Sequence, residues 1–126
     1  MTSDLDALPA PYRALHDELS AALPADRLVI DPLRLLALGT DASFYRLTPR
    51  LAVKVRETAE LVRVLTACAE RCLPVTFRAA GTSLSGQAVS DSVLVVLSGG
   101  FLGREVLDGG ARVRLGPGVI LSLIHI

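Results

Sequence analysis

Residues 78–87 read RAAGTSLSGQ, and this polar, glycine-bearing stretch decides the fold. It follows a predicted strand at 75–78 and precedes the apolar run 93–97, which is typical of a strand buried on both faces. Gly81 and Gly86 allow sharp turns and a close approach of the backbone to a ligand. Successive backbone N–H groups in such a turn form a concave site for an anion.

The side chains of this loop suit a diphosphate. Thr82, Ser83 and Ser85 add hydroxyl donors, and Arg78 supplies a positive charge, although it could equally pair with a carboxylate of the protein. On these features the candidate binding residues are Arg78, Gly81, Thr82, Ser83, Ser85 and Gly86. On these local features alone, a purely structural turn between two strands is an equal alternative.

Three other glycine motifs do not match the loop. A nucleotide-binding P-loop requires lysine and then a hydroxyl residue after its second glycine, and Gln87 and Ala88 stand there instead. The Gly-x-Gly-x-x-Gly fingerprint of dinucleotide-binding folds is absent. A nucleophile elbow requires glycine two residues after its serine, and Ser85 follows Ser83 at that spacing.

The first 48 residues predict a helical N-terminal lead-in. Leu15, Leu19 and Leu23 recur at helical spacing within residues 8–23, and Pro24 ends that helix. A shorter apolar stretch at 33–38 stops at a glycine.

From residue 49 the pattern changes to alternating strands and a helix. Residues 51–55 predict a short strand, and Thr58 is the expected N-cap of an amphipathic helix. The apolar face of that helix is expected to hold Leu61, Leu65, Cys68 and Cys72. Residues 105–107 and 112–115 flank Asp108-Gly109-Gly110 and predict a hairpin. The order of elements indicates an α+β fold.

Composition excludes several classes of partner. The 126 residues carry 13 basic and 13 acidic side chains, so no basic surface for nucleic acid is expected. No apolar run approaches the roughly 20 residues of a transmembrane helix. The N-terminal residues do not resemble a signal peptide, and we expect a cytoplasmic protein.

The two cysteines do not predict a metal site. Cys68 and Cys72 are four residues apart, and a zinc site needs more ligands than this pair. We expect both to be small core residues in a reducing compartment.

The loop resembles the pyrophosphate loop of FAD-linked oxidases with the vanillyl-alcohol-oxidase-type (PCMH-type) flavin domain. The resemblance implies that the residues that bind the cofactor are Arg78, Ala80, Gly81, Thr82, Ser83, Leu84, Ser85, Gly86 and Gln87. The segment 40–46, TDASFYR, resembles the stretch that precedes the flavin domain, and 89–95, VSDSVLV, resembles the strand entry after the loop. The subgroup that is most similar contains D-lactate dehydrogenase, glycolate oxidase and D-2-hydroxyglutarate dehydrogenase, with an iron–sulfur domain. The resemblance implies the N-terminal half of a PCMH-type FAD-binding domain at 49–120, preceded by the helical lead-in at 1–48.

The resemblance also implies a reaction. A D-2-hydroxy acid would lose its hydroxyl proton to a base and its α-hydride to the flavin, and the electrons would pass to an acceptor that the sequence does not identify. Members of the family carry their catalytic and cluster-binding residues later in the chain, so no catalytic residue and no metal ligand is assigned here. An iron–sulfur cluster would belong to the rest of the enzyme, which could be peripheral to a membrane. Two alternatives stay open: another flavin oxidase of this fold, and a non-catalytic α+β binding module.

The last six residues, LSLIHI at 121–126, depart from the family pattern. They match no expected continuation after Ile120, and we interpret them as a non-native tail encoded by adaptor DNA. The chain is then an N-terminal fragment of the enzyme, and we expect it to be inactive alone.

Overall fold

The computed structural model describes residues 3–120, so the expected non-native tail at 121–126 lies outside the described residues. The helices are α1 (Asp4–Ala7), α2 (Ala10–Ser20), α3 (Pro32–Leu38) and α4 (Thr58–Glu70). The strands are β1 (Leu28–Val29), β2 (Leu51–Val55), β3 (Val75–Arg78), β4 (Val93–Leu97), β5 (Arg104–Leu107) and β6 (Arg112–Leu115).

Helices α2 and α3 start and stop where local chemistry dictates. Pro9 precedes α2, and the helix ends at Ser20, three residues before the end of the predicted span 8–23. Asp31 caps α3 by accepting a 2.8 Å hydrogen bond from the Arg34 amide, and Gly39 follows its last residue. The sequence predicted neither the single turn of α1 nor the two-residue strand β1.

Four strands form one mixed sheet in the order β1-β2-β4-β3. Strands β2, β4 and β3 are parallel, and β1 pairs with β2 in the antiparallel sense. The carboxyl ends of the three parallel strands therefore lie at one edge of the sheet. Because β3 is the outermost of them, the chain must return from its carboxyl end to the amino end of β4, and residues 79–92 make that crossing.

The sheet is covered on both faces. Val93 and Val95 of β4 pack on one face with residues of α2 and α4, including Leu15, Leu19 and Val64. Leu94 packs on the other face with Val29, Leu35 and Ala52. The continuous apolar run of β4 is thus explained by its burial on two sides, as predicted.

The start of α4 differs from the prediction. Glu57, not Thr58, is the N-cap, and it makes no side-chain capping bond. A carboxylate in the first turn binds the start of the helix instead. Glu60 Oε2 accepts 2.7 Å hydrogen bonds from the Arg56 amide and from Arg27 Nη1. The negative charge also suits the positive end of the helix dipole.

The prediction that both cysteines lie in the core holds for only one of them. Cys68 is buried, while Cys72 is exposed. Helix α4 ends at Glu70, and Cys72 lies in the following turn with a positive φ of 52°. The helical period that would have turned Cys72 inward has stopped by then.

The predicted hairpin is present as β5 and β6, joined by Asp108, Gly109 and Gly110. These three residues have φ angles of 51°, 63° and 102°, which is the left-handed backbone that Asp and Gly tolerate. The hairpin forms a separate two-stranded sheet.

Candidate functional site

The candidate loop begins at the carboxyl end of β3. Parallel α/β sheets bind ligands beyond the carboxyl ends of their strands, so this is the expected edge for a site. In the strand register, Arg78 lies beside Val96 of β4, which lies beside Lys54 of β2. Because side chains alternate along a strand, Arg78 shares the face of the sheet that α3 covers.

Arg78 is engaged with the protein backbone. Its Nη1 donates to the carbonyl oxygens of Leu38 (3.1 Å), Thr40 (2.7 Å) and Ala88 (3.4 Å). A Cβ atom at Gly81 would come within 2.3 Å of Nη2 and 2.5 Å of Cζ, so the guanidinium lies directly against that glycine. Arg78 therefore ties the end of α3 to both ends of the loop, and it pairs with carbonyls rather than with the carboxylate considered from the sequence.

Both loop glycines are conformationally required. Gly81 has a φ of 71° and Gly86 a φ of 72°, where a side chain is strained. A Cβ at Gly86 would lie 2.7 Å from Cδ2 of Tyr45, so the tyrosine ring packs on the bare backbone. The loop is thus contacted by Arg78 at Gly81 and by Tyr45 at Gly86.

Ser83 organises the middle of the loop. Its Oγ accepts 3.2 Å hydrogen bonds from the amides of Ser85 and Gln87. The same hydroxyl donates to Oε1 of Gln87 at 3.3 Å. Ser83 and Gln87 therefore fix the turn through bonds to each other.

Other backbone N–H groups of the loop have no protein acceptor within the described residues 3–120. They belong to Ala80, Gly81, Thr82, Ser83, Leu84 and Gly86. Thr82, Leu84 and Ser85 are exposed, Leu84 to 79%. Exposed, adjacent donors in a loop that turns through the left-handed backbone conformation at Gly81 and Gly86 fit an anionic ligand such as the diphosphate of FAD.

Asp41 connects the lead-in to the far end of the loop. Its Oδ1 accepts a 2.8 Å bond from the Ser43 amide and a bond from the Ser43 hydroxyl, and its Oδ2 accepts from the Ala88 amide at 3.4 Å. The hydroxyl bond from Ser43 is the main cause that lowers the pKa of Asp41 below its usual range, with smaller contributions from the two amides and from the Arg78 charge. The carboxylate is thus ionised and holds the loop in place.

A cleft of about 320 Å³ lies between the lead-in and the loop. It is lined by Tyr45, Arg46, Leu47, Ser85, Gly86 and Val89. Segment 40–46 resembles a stretch of the family, but none of its residues was predicted to belong to the site. The adjacent aromatic and basic residues Phe44-Tyr45-Arg46, in an otherwise polar stretch, were the available signal.

Comparison with known proteins identifies the family of this chain. The model of the FAD binding domain matches residues 49–125, which is more than half of the chain. The chain belongs to the FAD binding domain family. FAD, the cofactor that the resemblance implied, is therefore confirmed at the level of the family, and so is the assignment to a flavin oxidoreductase family.

One protein similar to this FAD binding domain is the glycolate oxidase subunit GlcD of Escherichia coli strain K12. The identity is 37% over 82 residues, which are 61% of this chain and 16% of GlcD. GlcD of Escherichia coli strain O6:H1 matches with the same identity and coverage. The chain thus spans well under two thirds of the length of these relatives.

Solved structures confirm the predicted α+β fold of the FAD binding domain. p-Cresol methylhydroxylase with substrate bound superposes with a TM-score of 0.73 at 15% identity, covering 94% of this chain and 24% of that one. Alkyldihydroxyacetonephosphate synthase superposes with a TM-score of 0.62 at 18% identity, covering 80% of this chain and 21% of that one. At these identities the likeness concerns the fold.

No helix within residues 3–120 has the length and apolar character that crossing a membrane would require.

Proposed function

We propose that residues 79–91 hold the diphosphate of FAD, in an oxidoreductase that oxidises a D-2-hydroxy acid. The proposal is carried by the row of backbone N–H groups from Ala80 to Leu84, which have no hydrogen-bond acceptor among the described residues. Oriented amides of this kind are partial positive charges, and they attract a diphosphate without needing to move. The loop also begins at the carboxyl edge of the parallel strands, where the ligands of such sheets bind.

The roles of the proposed binding residues differ. The amides of Gly81, Thr82 and Leu84 donate directly, and the exposed hydroxyls of Thr82 and Ser85 add further donors. Ser83 and Gln87 hold the turn, and Arg78 holds the ends of the loop. Bound FAD supplies the hydride acceptor of the reaction.

The substrate class rests on the relatives. The match to a glycolate oxidase subunit at 37% identity supports a small 2-hydroxy acid, of the glycolate, D-lactate or D-2-hydroxyglutarate type. The chain covers 16% of that relative, so the base that accepts the hydroxyl proton, the electron acceptor and any iron–sulfur cluster are proposed for other parts of a longer protein.

The test compares two glycine substitutions in the full-length protein. Gly81→Val introduces a branched side chain at a φ of 71°, against the Arg78 guanidinium, and should abolish flavin binding. Gly109→Val is the matched control, because its φ is 63° and no neighbour lies within 4 Å of a Cβ placed there. The flavin content of each purified protein is measured by absorbance.

Two outcomes would contradict the proposal. Full flavin occupancy in Gly81→Val would show that the loop is not the diphosphate site. Wild-type flavin that is not bleached anaerobically by glycolate, D-lactate or D-2-hydroxyglutarate would refute the substrate class while leaving the flavin site intact, and would favour another oxidase of the same fold.

A further inference from the structure

We propose that Arg46, in the lead-in, is the cation that neutralises the FAD diphosphate. The inference rests on the proposed function, because it takes the loop at 79–91 as the diphosphate site. Arg46 lines the cleft that the loop shares with Tyr45 and Leu47, beside Ser85 and Gly86.

The loop itself lacks a free cation for this task. Its one basic neighbour in sequence, Arg78, directs Nη1 to three backbone carbonyls and packs the rest of its guanidinium on Gly81. Asp41, whose Oδ2 accepts from the Ala88 amide of the loop, adds negative charge, which works against binding a diphosphate. The neutral amides of the loop can donate to the ligand, but the charge must be balanced from elsewhere.

Lys54 does not supply that charge in the described structure. It lies in the same row of the sheet as Arg78, but it lines a separate concavity with Val29, Arg34, Ala37 and Leu38 beside α3. The cleft at Ser85 and Gly86 has Arg46 as its basic residue.

The backbone of Arg46 is fixed while its side chain is free. Arg46 forms a β-bridge with Thr40, and the amide of the next residue, Leu47, donates to the Gly39 carbonyl at 3.1 Å. Tyr45 is anchored on Gly86. Among residues 3–120, no carboxylate lies within ion-pair distance of the exposed Arg46 side chain.

A guanidinium in this position matches the ligand chemically. Its planar fork can donate two parallel hydrogen bonds to phosphate oxygens, and it is permanently charged. Arg46 lies outside the matched domain at 49–125, so the lead-in would contribute a cofactor-binding residue that the family match does not include.

The test uses the full-length apoprotein, titrated with FAD and followed by flavin fluorescence at low and high ionic strength. The variants are Arg46→Gln and Arg46→Lys, and Arg50→Gln is the control. Arg50 is an exposed arginine at the amino end of β2, and it has no ion pair within the described part of the chain. The melting temperature of each apoprotein is measured in parallel.

We expect Arg46→Gln to raise the Kd for FAD by about tenfold to hundredfold, the usual effect of losing a hydrogen bond to a charged group. Arg46→Lys should recover part of the loss, because it keeps the charge without the fork. The Kd of the wild type should rise with ionic strength more steeply than that of Arg46→Gln, since salt screens an exposed ionic contact. The melting temperatures of the wild-type and variant apoproteins should be the same.

A Kd for Arg46→Gln within about twofold of that for Arg50→Gln would overturn the proposal, because a lost charged contact costs more than this. A weaker Kd with an unchanged salt dependence would overturn it as well, since the effect would then be structural. If Gly81→Val loses flavin while Arg46→Gln retains it, the loop assignment stands and this inference fails. If Gly81→Val retains flavin, the loop assignment itself is wrong.

Discussion

Substituting Arg78 by alanine should release the loop from the lead-in before any cofactor is bound. The guanidinium donates to the carbonyls of Leu38, Thr40 and Ala88, with the 2.7 Å bond to Thr40 the strongest and the 3.4 Å bond to Ala88 close to the limit. Bonds from a charged donor contribute about 1.5–3 kcal/mol. Because Arg78 is only half-buried, we expect about 2–3 kcal/mol for the whole set.

Hydrogen exchange in the full-length apoprotein measures this quantity locally. The reporters are the Ala88 amide, bonded to Asp41, and the Leu47 amide, bonded to Gly39. A loss of about 2–3 kcal/mol corresponds to exchange that is about 30- to 150-fold faster at these amides. The core amides of β4 should exchange as in the wild type.

Two further variants serve as controls for Arg78→Ala. Arg78→Lys should give an intermediate rate, because the ammonium can reach a carbonyl but lacks the planar guanidinium that packs on Gly81. Arg112→Ala removes an exposed ion pair with Asp108 in the hairpin and should leave both reporters unchanged. Wild-type exchange rates in the Arg78→Ala apoprotein, together with a weakened affinity for FAD, would refute the reasoning and show that the guanidinium contacts the cofactor.

Three further predictions concern the rest of the chain. A thiol-alkylating reagent should modify Cys72 in the folded protein and spare Cys68, because burial raises the pKa of the Cys68 thiol to about 11; peptide mass spectrometry showing equal labelling would contradict this. The bond from Arg27 lowers the pKa of Glu60 below its ordinary value of 4.5, so its contribution to stability is complete above that pH and disappears as the pH falls through the lowered value. Melting curves from neutral to acid pH should therefore show a shallower acid loss for Glu60→Gln than for the wild type. The 126-residue chain alone should retain no FAD after desalting and should not reduce a dye with D-lactate. The reason is that its exposed loop covers only part of a cofactor that protein sites normally enclose. Stoichiometric retention of flavin by this chain would contradict the prediction.

The elements that could be predicted from the sequence are those whose signal is local. The apolar run of β4 predicts a strand that is buried on two faces. Asp108-Gly109-Gly110 predicts a hairpin, because these residues tolerate positive φ. The glycines of the loop were recognised for the same reason. Each of these depends on a few neighbouring residues and on no distant partner.

The features that escaped prediction depend on distant contacts. Strand β1 has two residues and exists because β2 offers it an edge. The role of Arg78 was left open, because its acceptors at Leu38 and Thr40 are 40 and 38 residues away in the chain. Cys72 escaped for the opposite reason: the helical period was extended past the point where α4 ends.

The supports of the loop have a consequence for how the protein can be divided. The family match begins at residue 49, so a truncation made there would keep the whole matched domain. It would nevertheless discard the carbonyls of Leu38 and Thr40, the Asp41 carboxylate and the Tyr45 ring, all of which hold the loop. It would also strip Leu15 and Leu19 from one face of the sheet. The smallest piece that keeps the loop in this geometry should therefore begin upstream of residue 49, near the start of α2.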